Sequence, residues 1–148
     1  MRTRVGYAGG THRDPTYHDL GDHTEAFQLD FDPALVSYDE LLAMFWKSHR
    51  ADREPYSRQY MAAVFPTADQ EAAALASRPV GARTPVIPLT RFYLAEDYHQ
   101  KYYLRHTPDL LGELATLDAR AFVDSPEAAK RNGQAWQRRM SGASGTMR

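Results

Sequence analysis

The chain has 148 residues, 43% hydrophobic and 25% charged, with a formal net charge of −1, enough for one domain with a sizeable core. Near-neutral charge gives no footprint for nucleic acid or anionic lipid, the apolar runs are too short to span a bilayer, and no leader peptide is expected at the start, so the expected location is cytoplasmic. There is no cysteine, which excludes a disulfide frame, thiolate chemistry and cysteine-held metal from these residues.

Arg4, Val5, Gly6 and Tyr7 read as the end of a strand, and Gly9-Gly10 turns the chain out of it. Residues 11–23 are polar and carry Pro15 and Gly21, so a loop is expected. From Thr24 to Phe31 the pattern alternates, with Phe27, Leu29 and Phe31 on one face and Gln28 and Asp30 on the other. Asp32-Pro33 ends this strand. Ser37-Tyr38-Asp39-Glu40 has capping-box spacing, and the helix it opens aligns Leu41, Leu42, Phe45 and Trp46 before stopping near His49.

A polar loop through Pro55 leads to an expected strand at about 59–65. Thr67-Ala68-Asp69-Gln70 reads as a second capping box, opening an alanine-rich helix that ends near Ser77. Pro79, Gly81, Pro85 and Pro88 break the next stretch, with Val86 and Ile87 as a short edge strand. Residues 92–103 read as aromatic and partly helical, and 108–117 as a short amphipathic helix. Ser125-Pro126-Glu127 caps a last helix, with proline at its tolerated first position. Residues 142–148 read as a frayed tail. Mixed strands and helices predict an α+β domain with a mostly antiparallel sheet.

Glu25 shares the strand parity of Phe27, Leu29 and Phe31. A carboxyl group on an apolar face has its charged form disfavoured, which suits a general acid. Equally, Glu25 could sit at the wet end of its strand and do nothing. Tyr17, in a loop, reads on its own as a surface residue, and Tyr60 as a strand aromatic. His18, Asp22, His23 and Glu25 match no strong zinc spacing, so no metal is expected. Gly6 to Gly10 lacks the Gly-Lys-Ser/Thr ending of a phosphate loop. Adjacent Glu96 and Asp97 point apart and do not read as a paired acid and base.

Several stretches in order carry a resemblance. Gly6-Tyr7-Ala8-Gly9-Gly10, Asp14-Pro15-Thr16-Tyr17, Gly21-Asp22-His23-Thr24-Glu25-Ala26, Arg58-Gln59-Tyr60 and Ala95-Glu96-Asp97-Tyr98-His99-Gln100 together resemble the A-type peptide methionine sulfoxide reductases. The likeness runs from about Arg4 to about Tyr103. It implies a ferredoxin-like two-layer sandwich with a mixed or antiparallel sheet, whose first strand and helix would lie upstream of Met1. It also implies that Tyr17 and Tyr60 hydrogen-bond the sulfoxide oxygen and that Glu25 is the general acid. The 95–100 segment reads as scaffold. The chain departs from the family at Asp14 and Asp22, which replace Asn and Gly. Pro55 stands where an aspartate is usual, Arg50-Ala51 where Asp-Pro is usual, and Met61 where arginine is usual.

The family's nucleophile is the cysteine of a Gly-Cys-Phe-Trp segment upstream of the Gly-Tyr-Ala-Gly-Gly turn. No thiol is present here, so the chain as written is expected to be inactive. A start placed too late would explain this. The whole protein would then be a thiol-dependent reductase of methionine (S)-sulfoxide, in proteins and in free form. It would need no cofactor beyond an external thiol such as thioredoxin. The other expectation is a non-catalytic binding module that keeps the oxygen pocket. One domain over 1–148 is expected, with 118–148 a helical extension of unknown role.

Overall fold

The computed structural model describes residues 1–144. Three strands, β1 (Arg2–Ala8), β2 (Thr24–Asp30) and β3 (Phe92–Leu94), form a sheet in the order β2-β1-β3. β1 runs antiparallel to β3, with Gly6 opposite Leu94, Tyr7 opposite Tyr93 and Ala8 opposite Phe92. The expected α+β class is what is found. A Cβ at Gly6 would lie 2.2 Å from the Tyr93 carbonyl oxygen, so glycine permits this close pairing. Residues 92–103 are partly helical, as expected, with β3 at their start, a 3-10 turn at Asp97–His99 and helix from Tyr102.

Two compact units divide the chain. One comprises Gly6–Phe27 and Phe31–Leu94. Here α1 (Tyr38–Lys47) opens on the expected capping box: Ser37 accepts from the Glu40 N–H at 3.2 Å, and the Glu40 carboxylate accepts from the Ser37 N–H at 2.7 Å. α2 (Glu71–Ser77) forms without the expected reciprocal box. Gln70 does accept from the Thr67 N–H, at 3.2 Å, but the Thr67 hydroxyl donates to Asp69 and caps nothing. Leu42 of α1 and Ala74 of α2 are buried, and the Trp46 indole donates to Ser77 at 2.9 Å.

The strand expected at 59–65 does not form. Gln59 and Tyr60 lie in a turn, and only Val64 makes an isolated parallel bridge, to Val86. The reason is pairing: the Val64 N–H reaches Pro85 and its carbonyl accepts from Ile87, after which Leu89 bonds back to Pro66. Two extended segments rich in proline offer too few N–H groups to continue a ladder.

The other unit comprises Met1–Val5, Gln28–Asp30 and the residues from Ala95 on. It contains α3 (Tyr102–Arg105), α4 (Pro108–Leu111), a 3-10 stretch (Gly112–Thr116), α5 (Ala119–Asp124) and α6 (Pro126–Ser144). Leu104, Leu114, Phe122 and Ala128 make its core, with Leu110 and Leu111 packed against them. The helix expected at 108–117 breaks at Gly112, which has φ +47°, a conformation that suits glycine and ends the regular helix. The Ser125 hydroxyl caps α6 by accepting from the Ala128 N–H at 3.0 Å. Gly142 and Ser144 lie within α6 where a tail was expected, while the rest of that tail, 145–148, falls outside the described residues.

The Ala-Glu-Asp-Tyr-His-Gln segment does work as scaffold within this unit. Gln100 is fully buried. Its amide oxygen accepts from the Val5 N–H at 3.0 Å, and its nitrogen donates to the carbonyls of Val5 and Ala95 at 2.8 and 3.0 Å. One side chain thus prolongs the β1–β3 ladder past the end of β3. The next residue, Lys101, has φ +53° and donates its ammonium to the carbonyls of Thr3 and Val123. Arg4 ties three segments together, reaching Asp124 at 2.7 Å and Gln28 and Asp30 at 3.0 Å each.

Candidate functional site

Glu25 is the second residue of β2. Its N–H donates to the Gln59 carbonyl at 2.9 Å, and the Thr24 hydroxyl donates to the Arg58 carbonyl at 2.8 Å. These bonds seat the 58–60 turn beside the start of β2. The Gln59 side-chain nitrogen then donates twice, to the Glu25 carboxylate at 2.8 Å and to the Tyr60 hydroxyl at 2.9 Å. Tyr60 is in turn hydrogen-bonded to Tyr17. The three residues singled out in the sequence are therefore joined in one chain of polar contacts, Glu25 to Gln59 to Tyr60 to Tyr17.

Tyr60 is 50% exposed and Tyr17 39%, so the phenols remain open to a ligand. The Tyr60 hydroxyl is held above the usual phenol range. Partial desolvation is the main cause, followed by the nearby Glu25 charge and the contact with Tyr17. Tyr60 stays a protonated donor at neutral pH.

The loop carrying Tyr17 is braced from behind. The Asp22 carboxylate accepts from the N–H groups of Thr11 and His12 and from the Thr11 hydroxyl, at 2.8 to 3.0 Å. Those donors hold Asp22 well below the usual carboxylate range. Arg58 donates to the carbonyls of Gly9 and Asp22. His23 is buried; its Nδ1 accepts from the Gly10 N–H at 3.1 Å, and its Nε2 lies 2.7 Å from the His12 carbonyl. Only the tautomer protonated at Nε2 satisfies both contacts. His23 is thus spent on the loop, and among the described residues no group of three acidic, histidine or cysteine side chains is arranged to hold a metal.

One expectation about Glu25 needs correction. Its strand row does not face a core, since Phe27 is 67% exposed and Glu25 itself is only half-buried. β2 is an edge strand, and no described element covers Phe27, so alternation alone did not indicate which face is buried. The neighbour of Glu25 is instead an amide, Gln59. The sequence marks Gln59 only as part of Arg58-Gln59-Tyr60. No spacing rule shows that this turn meets β2.

The family model for peptide methionine sulfoxide reductase matches residues 1–128. This chain belongs to that family. It is 38% identical to a peptide methionine sulfoxide reductase of Drosophila melanogaster, over 90% of this chain and 58% of the relative. It is 37% identical to peptide methionine sulfoxide reductase A5 of Oryza sativa subsp. japonica, over 91% and 59%. A third relative, MsrA of Methanosarcina mazei, is 42% identical over 70% of this chain and 58% of its own length. The chain thus spans somewhat under three-fifths of these family members. Among solved structures, Mxr1 of Saccharomyces cerevisiae in reduced form matches with a TM-score of 0.62 at 24% identity, covering 71% of each chain. That likeness shows the fold. The same yeast protein in an unusual oxidized form matches with a TM-score of 0.52 at 28% identity, over 72% of this chain and 66% of that one. Family membership ends near the start of α6, so most of that helix lies outside the matched region. Among the described residues no helix is long and apolar enough to cross a membrane.

Proposed function

We propose that these residues form the oxygen-binding half of a methionine (S)-sulfoxide reductase site. The reading rests on the run of polar contacts from Glu25 through Gln59 to Tyr60 and on to Tyr17. Tyr17 and Tyr60 donate hydrogen bonds to the sulfoxide oxygen, which gains negative charge as its sulfur is attacked. Glu25 delivers a proton to that oxygen. The 148 residues contain no thiol, so the nucleophile has to come from outside them. A thiolate attacks the sulfoxide sulfur, the oxygen passes to the attacking sulfur with the proton from Glu25, and the thioether leaves. The sulfoxide sulfur is reduced and the attacking thiolate is oxidised to a sulfenic acid. A second thiol, from a thioredoxin-like reductant, condenses with it to a disulfide and releases water. Substrates are methionine sulfoxide residues in proteins and the free amino acid, in the cytoplasm, with no further cofactor.

The test compares the 148-residue chain with a form preceded by a Gly-Cys-Phe-Trp segment. The assay is reduction of a methionine (S)-sulfoxide with dithiothreitol. The longer form turns over and the chain alone does not. In the longer form Tyr60→Phe lowers kcat by about 10²-fold, the usual effect of losing one donor to a developing oxyanion. Wild-type turnover in a Tyr17→Phe/Tyr60→Phe double variant would sink the assignment. The lack of any thiol also favours a second reading, a module that holds a sulfoxide without reducing it. A stop codon closing the coding frame upstream, together with sulfoxide binding by the 148-residue chain, would establish it.

A further inference from the structure

Gln59 carries no role in the reading above, yet its side chain touches both Glu25 and Tyr60. Its nitrogen donates to Glu25 Oε1 at 2.8 Å and to Tyr60 Oη at 2.9 Å. An amide nitrogen has two N–H groups, and both are accounted for by these two oxygens. We infer that Gln59 is a positioning residue that orients the protons of Glu25 and Tyr60 toward a bound sulfoxide oxygen.

Glu25 Oε1 accepts from Gln59 whether or not the carboxyl is protonated. A proton on Oε1 would have to compete with that N–H, so the acid's proton resides on Oε2. The carboxyl therefore presents one oxygen as a fixed acceptor and the other as the donor. At Tyr60 the Gln59 N–H occupies a lone pair of Oη, which turns the phenol's own proton away from Gln59. The Tyr60 hydroxyl is also hydrogen-bonded to Tyr17. An arriving sulfoxide oxygen can then accept the Tyr60 proton without any rotation of the Gln59 amide.

The backbone separates this role from a structural one. Glu25 N–H to Gln59 carbonyl, and Thr24 hydroxyl to Arg58 carbonyl, hold the turn against β2 whatever side chain stands at 59. Gln59→Met, of similar length but without a donor, keeps those bonds.

This inference rests on the reductase-site reading, and the experiment separates the two. The 148-residue chain is titrated by NMR with N-acetyl-methionine sulfoxide amide and with the corresponding thioether. The ratio of the two affinities is the sulfoxide preference. Tyr60 is followed separately by the ring carbon bearing its hydroxyl, assigned through its disappearance in Tyr60→Phe. In Gln59→Met the Tyr60 midpoint rises, because a donor to the phenolate is gone. The sulfoxide preference falls by about 3- to 10-fold, the effect of one misdirected hydrogen bond. Circular dichroism and the amide spectrum confirm that the variant is folded. A Tyr60 midpoint that stays in place, or a preference that survives, overturns the positioning role while Tyr60→Phe still abolishes the preference. If Tyr60→Phe itself leaves the preference intact, the reductase-site reading fails and this inference falls with it.

Discussion

Lys101 shows how one residue can be forced into an unusual state by its surroundings. Only 4% of it is exposed, and burial, reinforced by the positive charge of Arg4, pushes its ammonium down to about 8. In the unfolded chain the same group titrates near about 10.4. Between these values the unfolded chain binds the extra proton, so stability rises with pH across that window and the loss is complete below about 8. The neutral amine keeps two N–H groups, enough for the carbonyls of Thr3 and Val123. The denaturation midpoint of the wild type should therefore climb between about pH 8 and pH 10 relative to Lys101→Met, measured in parallel urea titrations. A flat difference would show that Lys101 titrates normally in the fold. Nothing local in the sequence marks Lys101. Its burial comes from β1 and α5, which lie far away along the chain. Gln59 is hidden for the same reason, because its partner Glu25 is 34 positions away.

At the scale of the element, the caps divide the helices into those legible from sequence and those that are not. Ser37 and Ser125 bond to N–H groups three positions ahead, so residue type and spacing suffice to find them. Ser37→Ala is expected to cost about 1 kcal/mol, read from the shift in denaturant midpoint. Thr67 has the same spacing, and the same substitution there should cost much less, because its hydroxyl is turned to Asp69 and caps no N–H. Equal losses at the two positions would contradict this distinction. The strands were harder to read. β2 is plain from alternation, yet Phe27 shows that alternation gives parity without saying which face is covered. β3 has only three residues and exists because β1 pairs with it; residues 59–65 have strand-like composition but find no ladder partner beyond Val86.

For the whole molecule, stability is distributed over two units, each with its own packing. In the unit that includes the C-terminal helices the focus is Leu104, fully buried among Leu114, Phe122 and Ala128, with its N–H held by Asn132 at 3.0 Å. Leu104→Ala should destabilise by about 2–5 kcal/mol, since a truncated core leucine leaves a cavity besides losing its burial. Hydrogen exchange should speed up first at the amides of α3 and α6; unchanged protection there would mean that this cluster does not hold the unit together.

What the sequence determined alone is whatever depends on neighbours within a few positions: the α1 and α6 caps, the parity of β2, the ordered motifs of the reductase family and the lack of a thiol. The tertiary structure decided which distant residues meet. It set Gln59 between Glu25 and Tyr60, spent His23 on its own loop, buried Gln100 and Lys101, and left Phe27 uncovered. Caps and alternation follow from short-range backbone geometry, whereas burial and side-chain contacts between residues far apart along the chain follow from how strands and turns close on one another, which no local pattern records.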